Sequence, residues 1–153
     1  MDWRDILLVL GVSAAPLSEL RGGIPLALSL GFSPEAAFGL ALLGNLFPLP
    51  FLLLFLPKVI RIVERLPGKP GELGRAYFKC QLTRHRRLRS LESFALFAFV
   101  AVPLPGTGVW TGALLSALLG APPRRAALAL GLGAAAAGLL VLLASLGFFH
   151  LFS

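Results

Sequence analysis

"APLSELRGGIP", residues 15–25, sets a glutamate and an arginine two positions apart inside an apolar run, between two prolines and beside two glycines. A charge placed in hydrocarbon costs several kcal/mol, roughly 2.5–3.5 on insertion scales. Pro and Gly interrupt helices, the first by removing an amide and the second by loosening the backbone. A break carrying both charges is therefore a candidate functional position. A second break, "VPLPGTGVWTG" at 102–112, repeats the Pro and Gly chemistry without the charges.

The chain around these breaks is a membrane sequence. Of its 153 residues 57% are hydrophobic and 14% charged, with a mean hydropathy of +0.85. Soluble domains are nearer 45–50% apolar and about 25% charged. Residues 126–149 run for 24 positions without a charge, more than the roughly 20 needed to cross a bilayer core. Met1 to Asp5 is not basic and no small-residue cleavage site follows, so the first apolar segment is expected to stay in the mature protein. Cys80 is the only cysteine, so no intrachain disulfide and no CxxC metal site is expected. No metal or other cofactor is implied.

Five segments follow: 6–30, 35–57, a basic loop 58–91, 92–120 and 126–149. The pieces flanking the two breaks, 6–15, 24–30, 92–102 and 109–119, would reach roughly 10–17 Å as helices, about half of a bilayer core. Ten of the fourteen Lys and Arg residues lie between Lys58 and Arg89. Between membrane segments this reads as the positive-inside signal rather than as a nucleic-acid surface, and makes 58–91 cytoplasmic.

Sliding the sequence by 89 positions superposes Pro16 on Pro105, Gly23 on Gly112, Gly31 on Gly120, Pro34 on Pro123 and Gly44 on Gly133. Ser18 also falls on Thr107. These residues set backbone geometry, so the match predicts an internal repeat. The charges give its sense. If 92–120 crossed fully, Arg124 and Arg125 would lie outside, against the charge bias. If it enters and turns back at "PLPGTG", both its ends are cytoplasmic. By the same logic 6–30 enters from outside and returns, and 35–57 and 126–149 cross. The predicted fold is all-α and integral to the membrane, an inverted repeat of re-entrant helical hairpin plus transmembrane helix. Four ordinary spanning helices, two of them kinked, are the alternative. Inverted repeats with broken helices near the midplane mark secondary transporters.

The candidate site follows from the breaks. Irregular backbone at membrane depth is tolerated where it is buried in protein or lines a wet cavity, so the two tips should face one another. Glu19 stands between burial, which favours its neutral form, and Arg21, which favours its charged form; such a carboxylate can carry a proton. The planar fork of Arg21 suits phosphate or carboxylate. The bland reading is a local ion pair. Gly22 and Gly23 would leave amides free at the turn, with a helix starting near Ile24. Pro105, Gly106, Thr107 and Gly108 would offer similar amides and a hydroxyl, and Trp110 and Thr111 follow directly. Asn45, the only asparagine, should hydrogen-bond across helices. No His/Asp/Ser constellation, no carboxylates paired at one depth and no phosphate loop are legible, so an enzyme is not expected and transport would run on ion gradients or downhill.

"PLSELRGGIPLAL", "LLGNLFPLP" and "VPLPGTGVWTGALLSALLG" resemble the proteins catalogued as predicted small multidrug export proteins, over about residues 10–145. These are regarded as distant relatives of the DedA (VTT) superfamily. The resemblance implies two oppositely oriented re-entrant hairpins, a homo-oligomer, and a role in moving lipid phosphates such as undecaprenyl phosphate with proton-motive-force dependence. Glu19 and Arg21 match the charged hairpin position, and Pro105, Gly106 and Gly108 the Pro-Gly turn of the second hairpin. DedA proteins carry arginines in the second hairpin, where this chain has Thr107, Trp110 and Thr111. The expectation is a small, proton-linked transporter of an amphiphilic anion in the inner membrane, with membrane lipids as partners and a homodimer as assembly. A cationic multidrug exporter and a non-transporting membrane scaffold are the alternatives.

Overall fold

The computed structural model describes residues 2–64, 89–104 and 106–152. Most of the basic loop, and Pro105 of the candidate site, lie outside the described residues. All regular elements among the described residues are helices: α1 (Trp3–Ala14), α2 (Glu19–Ser29), α3 (Pro34–Leu46), α4 (Leu49–Glu64), α5 (Arg89–Ala101), α6 (Val109–Leu119) and α7 (Pro123–Phe152). Two spans are long and apolar enough to cross a membrane, Pro34–Ile62 and Pro123–Phe148. The first is α3 and α4 run together. The backbone stays helical through Phe47, and the Leu52 amide bonds the Pro48 carbonyl at 2.9 Å, so Pro48 and Pro50 interrupt the helix without ending it.

Both breaks reverse the chain. A Cβ built on Gly23 would collide with the Ser13 hydroxyl, and one on Gly112 would come within 2.8 Å of Val100. Ser13 and Gly23 are ten residues apart, which in a continuous helix would separate them by roughly 15 Å. Each second limb, α2 and α6, therefore doubles back on its first. Each second limb also ends in the same cap. Gly31 and Gly120 take positive φ (84° and 65°), and the amides of Phe32 and Ala121 reach back to the carbonyls of Ala27 and Ser116 at 3.1 and 2.9 Å. This is a Schellman motif, in which glycine removes the Cβ penalty of the left-handed turn. Pro34 and Pro123 then open the next helices at a position whose amide would be unpaired in any case. Ser33 caps α3 by accepting from the Ala36 amide, and Glu35 sits in the first turn, where the helix dipole favours an acid.

α1 packs on α2 and α3, and α5 packs on α6 and α7, while α4 lies along α6 and α7 lies along α2. Glycine permits the close approaches. At Gly44 a Cβ would meet the Leu10 carbonyl at 2.6 Å, and at Gly133 the Phe97 carbonyl at 2.8 Å. In lipid, where apolar burial gives no driving force between helices, such backbone-to-backbone packing is what holds them together. Val9, Leu20, Ile24, Leu96, Val109 and Leu130 fill the centre.

Helix limits differ from the sequence reading at several places. α1 begins at Trp3 rather than residue 6, α4 continues past residue 57 to Glu64, α5 begins at Arg89 and α7 at Pro123. In each case the backbone ladder continues beyond the apolar run, because a helix needs only its i→i−4 bonds and not a hydrophobic neighbour.

Candidate functional site

Glu19 opens α2, not Ile24 as the glycines implied. The Glu19 amide bonds the Ala15 carbonyl at 3.1 Å and the Gly22 amide bonds Ser18 at 2.9 Å. The amides of Gly22 and Gly23 thus belong to the helix and are not free for a ligand. Both glycines instead make room for Val12 and Ser13 of α1. Further along, Pro25 stands inside α2; having no N–H, it leaves the Arg21 carbonyl without its helical partner.

Among the described residues Glu19 is the one non-glycine with positive φ, at 46°. That conformation costs about 1–3 kcal/mol for a side-chain-bearing residue and persists where surroundings over-determine it. Here the surroundings are the start of α6. The Glu19 side chain, buried to 8% exposure, crosses to the second tip. There it accepts from the Trp110 amide at 3.5 Å, with the Val109 amide beside it. The distance is at the long end of hydrogen bonding, so the attraction is chiefly that of a carboxylate for a helix N-terminus. Gly108 is what admits it: a Cβ there would overlap all three carboxyl atoms.

The contact is reciprocal. The Trp110 indole Nε1–H donates to the carbonyl of Ala14 at 3.0 Å. Ala14 ends α1, so this carbonyl is one the helix itself leaves unpaired. Each tip therefore caps a helix of the other. A third bridge joins Arg21, whose Nη2 donates to the Thr107 hydroxyl at 3.2 Å. That hydroxyl lies 2.6 Å from the Val102 carbonyl and 2.8 Å from that of Leu104, and accepts from the Leu104 amide at 3.1 Å. Thr107 staples its own tip and offers what remains to Arg21. Glu19 and Arg21 reach different partners on the second tip rather than one another.

Behind these bridges lies a cavity of about 10 Å³, lined by Glu19, Arg21, Asn45, Thr107, Gly108 and Ala134 among others. That is about the space of one water. Asn45 is 1% exposed and its Oδ1 has no hydrogen-bond partner. An amide oxygen left so in an apolar core costs roughly 1–3 kcal/mol, which a single water in this cavity would offset.

The structure thus brings together Glu19, Arg21, Asn45, Thr107, Gly108 and Trp110. Gly22 and Gly23 serve packing, Gly106 forms an exposed turn at φ 85°, and Thr111 is exposed on α6. Ser13 and Ala134 escaped the sequence reading. Ser13 is fully buried between Gly23 and Gly44 with an unpartnered hydroxyl, and Ala134 supplies the space opposite Asn45. A signal for Ala134 existed: the 89-residue shift carries Asn45 onto Ala134 and Glu19 onto Gly108. One half supplies the polar group and the other the room for it.

Two helices long and apolar enough to cross a membrane, with a polar cluster held between broken helices, suggest a membrane protein that is all-helical among the described residues. The model of a family described as "Putative small multi-drug export protein" matches residues 19–140. The chain belongs to that family, which is a transport class rather than an enzyme class. No curated protein and no solved structure matches it.

Proposed function

We propose that the protein is a proton-linked carrier of an amphiphilic anion, such as a lipid phosphate, built as an inverted repeat of two re-entrant hairpins each followed by a spanning helix. The observation that carries the reading is the reciprocal bridge between the tips, Glu19 on the start of α6 and Trp110 on the end of α1.

Support for the repeat comes from corresponding contacts. Gly23 lies against Ser13 and Ala41, and Gly112 against Val100 and Leu130; Gly44 lies against Leu10 and Ser13, and Gly133 against Phe97 and Val100. From the second limb onward the partners differ by 89 positions, and in the first limb by 87. The second tip is thus two residues longer. The matching Schellman caps at Gly31 and Gly120 obey the same offset.

In the proposed cycle, ionised Glu19 latches the tips, because a carboxylate is drawn to the amides of a helix N-terminus. Protonation removes that charge and releases the latch. An anionic headgroup then takes the place of the carboxylate beside Arg21, whose guanidinium offers further donors beyond the one given to Thr107. The test is flux of a long-chain alkyl phosphate in proteoliposomes. Glu19→Gln and Arg21→Ala are expected to abolish it while leaving expression and folding intact. Full flux in both variants refutes the mechanism.

The family description, multi-drug export, favours a second reading, for which we take hydrophobic cations as the drugs. A carboxylate, Glu19, and an indole, Trp110, in one cluster suit a cation, but Arg21 in the same cluster repels one. Efflux of a cationic dye that survives Arg21→Ala, with no alkyl phosphate flux, would favour this reading over the first.

A further inference from the structure

Among the open grooves on the described part of the bundle, two are counterparts. The larger, about 510 Å³, lies between α2 and α7 and is lined by Arg21 together with Leu140, Val141, Ala144, Ser145 and Phe148. The smaller, about 290 Å³, lies between α6 and α4 and is lined by Trp110 together with Phe51, Leu52, Phe55, Leu56 and Val59. Adding 89 to each residue of the second helix face gives the first: 51 to 140, 52 to 141, 55 to 144, 56 to 145, 59 to 148. Subtracting 89 from Trp110 gives Arg21. The remaining lining residues differ, Pro25 and Pro103 in one groove, Phe47 and Pro48 in the other.

The counterparts are not chemically alike. Arg21 is the one charged side chain in its groove, whose walls are otherwise apolar apart from Ser145, and it lines the small polar cavity between the tips as well. In the other groove every lining residue is apolar or aromatic, and Trp110 stands where the arginine would be. The groove walls run about 12 Å along α7, from Leu140 to Phe148, and about 12 Å along α4, from Phe51 to Val59. The larger volume sits on α7 because Ala144 and Ser145 replace Phe55 and Leu56.

The geometry points to a pair of chain-holding grooves for one amphiphile with a single anionic headgroup. Its headgroup seats on Arg21 with the apolar chain along Leu140, Ala144 and Phe148, and the chain passes to the Phe51, Phe55 and Val59 groove as the tips exchange. Charge complementarity selects the anion, since a guanidinium fork binds phosphate or carboxylate through paired N–H donors. A free inorganic anion would satisfy Arg21 but leave the apolar walls unused. In an inverted repeat the two grooves open toward opposite leaflets, so they form the entry and exit of one path. Trp110, having no charge, lets the headgroup leave where Arg21 held it. This inference rests on the carrier reading above.

The experiment uses the full chain in proteoliposomes with a long-chain alkyl phosphate bearing a diazirine on its chain, the adducts being mapped by peptide mass spectrometry. Adducts are expected on Phe51, Phe55 and Val59 and on Leu140, Ala144 and Phe148, in excess over the exposed Leu7, Leu43, Leu54 and Leu143. Unlabelled alkyl phosphate should compete and inorganic phosphate should not. Arg21→Gln should lower the α7 adducts about tenfold and spare those on α4; Arg21→Lys should restore most of them. Should Arg21→Gln fold poorly, Ala144→Trp, which fills the larger groove, should remove the same adducts. Adducts spread evenly over the lipid-facing residues, displacement by inorganic phosphate, or equal α7 labelling by an alkyl ammonium probe would overturn the proposal. Flux that still requires Glu19 and Arg21 alongside scattered adducts would sink the grooves and spare the carrier. Adducts on both faces without flux would sink the carrier and leave two amphiphile sites.

Discussion

Gly108→Ala is the sharpest probe of the junction between the tips. Gly108 has φ −95° and ψ −171°, an extended conformation open to any residue, so its backbone does not require glycine. Space does. A Cβ there overlaps the Glu19 carboxyl, the end of a side chain able to swing aside, so the collision itself resolves cheaply. What is lost is the carboxylate's place on the α6 N-terminus. A hydrogen bond to a charged group is worth about 1.5–3 kcal/mol, and a charge on a partly buried helix terminus up to about 2. The two figures describe one interaction, so about 2 kcal/mol is expected, roughly 30-fold in the unfolding equilibrium. The control is the Glu19→Ala background, where no carboxyl competes for the space. There Gly108→Ala should cost no more than about 1 kcal/mol, the ordinary preference for glycine over alanine at an N-cap. Thermal unfolding of the four proteins in detergent, followed by tryptophan fluorescence, closes the double-mutant cycle with a coupling of at least about 1 kcal/mol. Equal costs in both backgrounds would mean that Glu19 does not occupy Gly108, and the latch would fall with it.

Three further outcomes test the rest. Gly44→Ala and Gly133→Ala place a Cβ against a backbone carbonyl that cannot yield and should each cost about 1–3 kcal/mol. Gly11→Ala and Gly131→Ala meet open space and should gain about 0.5–1; a reversed order of melting temperatures would contradict the helix packing. Trp110→Phe keeps the ring but removes the donor to Ala14, and a loss of about 0.5–1.5 kcal/mol is expected in the same melts. In a Cys80→Ser background, Ser33→Cys should react with an impermeant maleimide from outside and Ala121→Cys only from inside. Labelling of Ala121→Cys from outside would refute the second re-entrant hairpin.

Much of the architecture was legible because breaks in an apolar run are conspicuous. Pro16, Pro103, Gly106 and Gly108 stand where a helix is interrupted, since the effect of Pro and Gly on the backbone is local and needs no partner, whereas Gly23 and Gly112 lie inside α2 and α6. The helix start at Pro34 was legible for the same reason, with Glu35 read in its first turn, whereas the last helix starts at Pro123, three residues before the apolar run read from 126. At Glu19 the reading went astray. The glycine pair suggested a start near Ile24, yet the helix tolerates Gly22 and Gly23 in its first turn because α1 packs on them there.

From composition and order alone came the membrane class, the two interruptions, the charged pair and the 89-residue correspondence, all of which reside in residue type and spacing. Only tertiary structure decided that Glu19 reaches Gly108, that Trp110 closes the end of α1, and that Asn45 and Ala134 share one small cavity. These partners lie about 90 residues apart, and no local preference of either records the other. They meet because two doubled-back helices bring their unpaired backbone ends together, and each end is satisfied by a side chain the opposite half supplies.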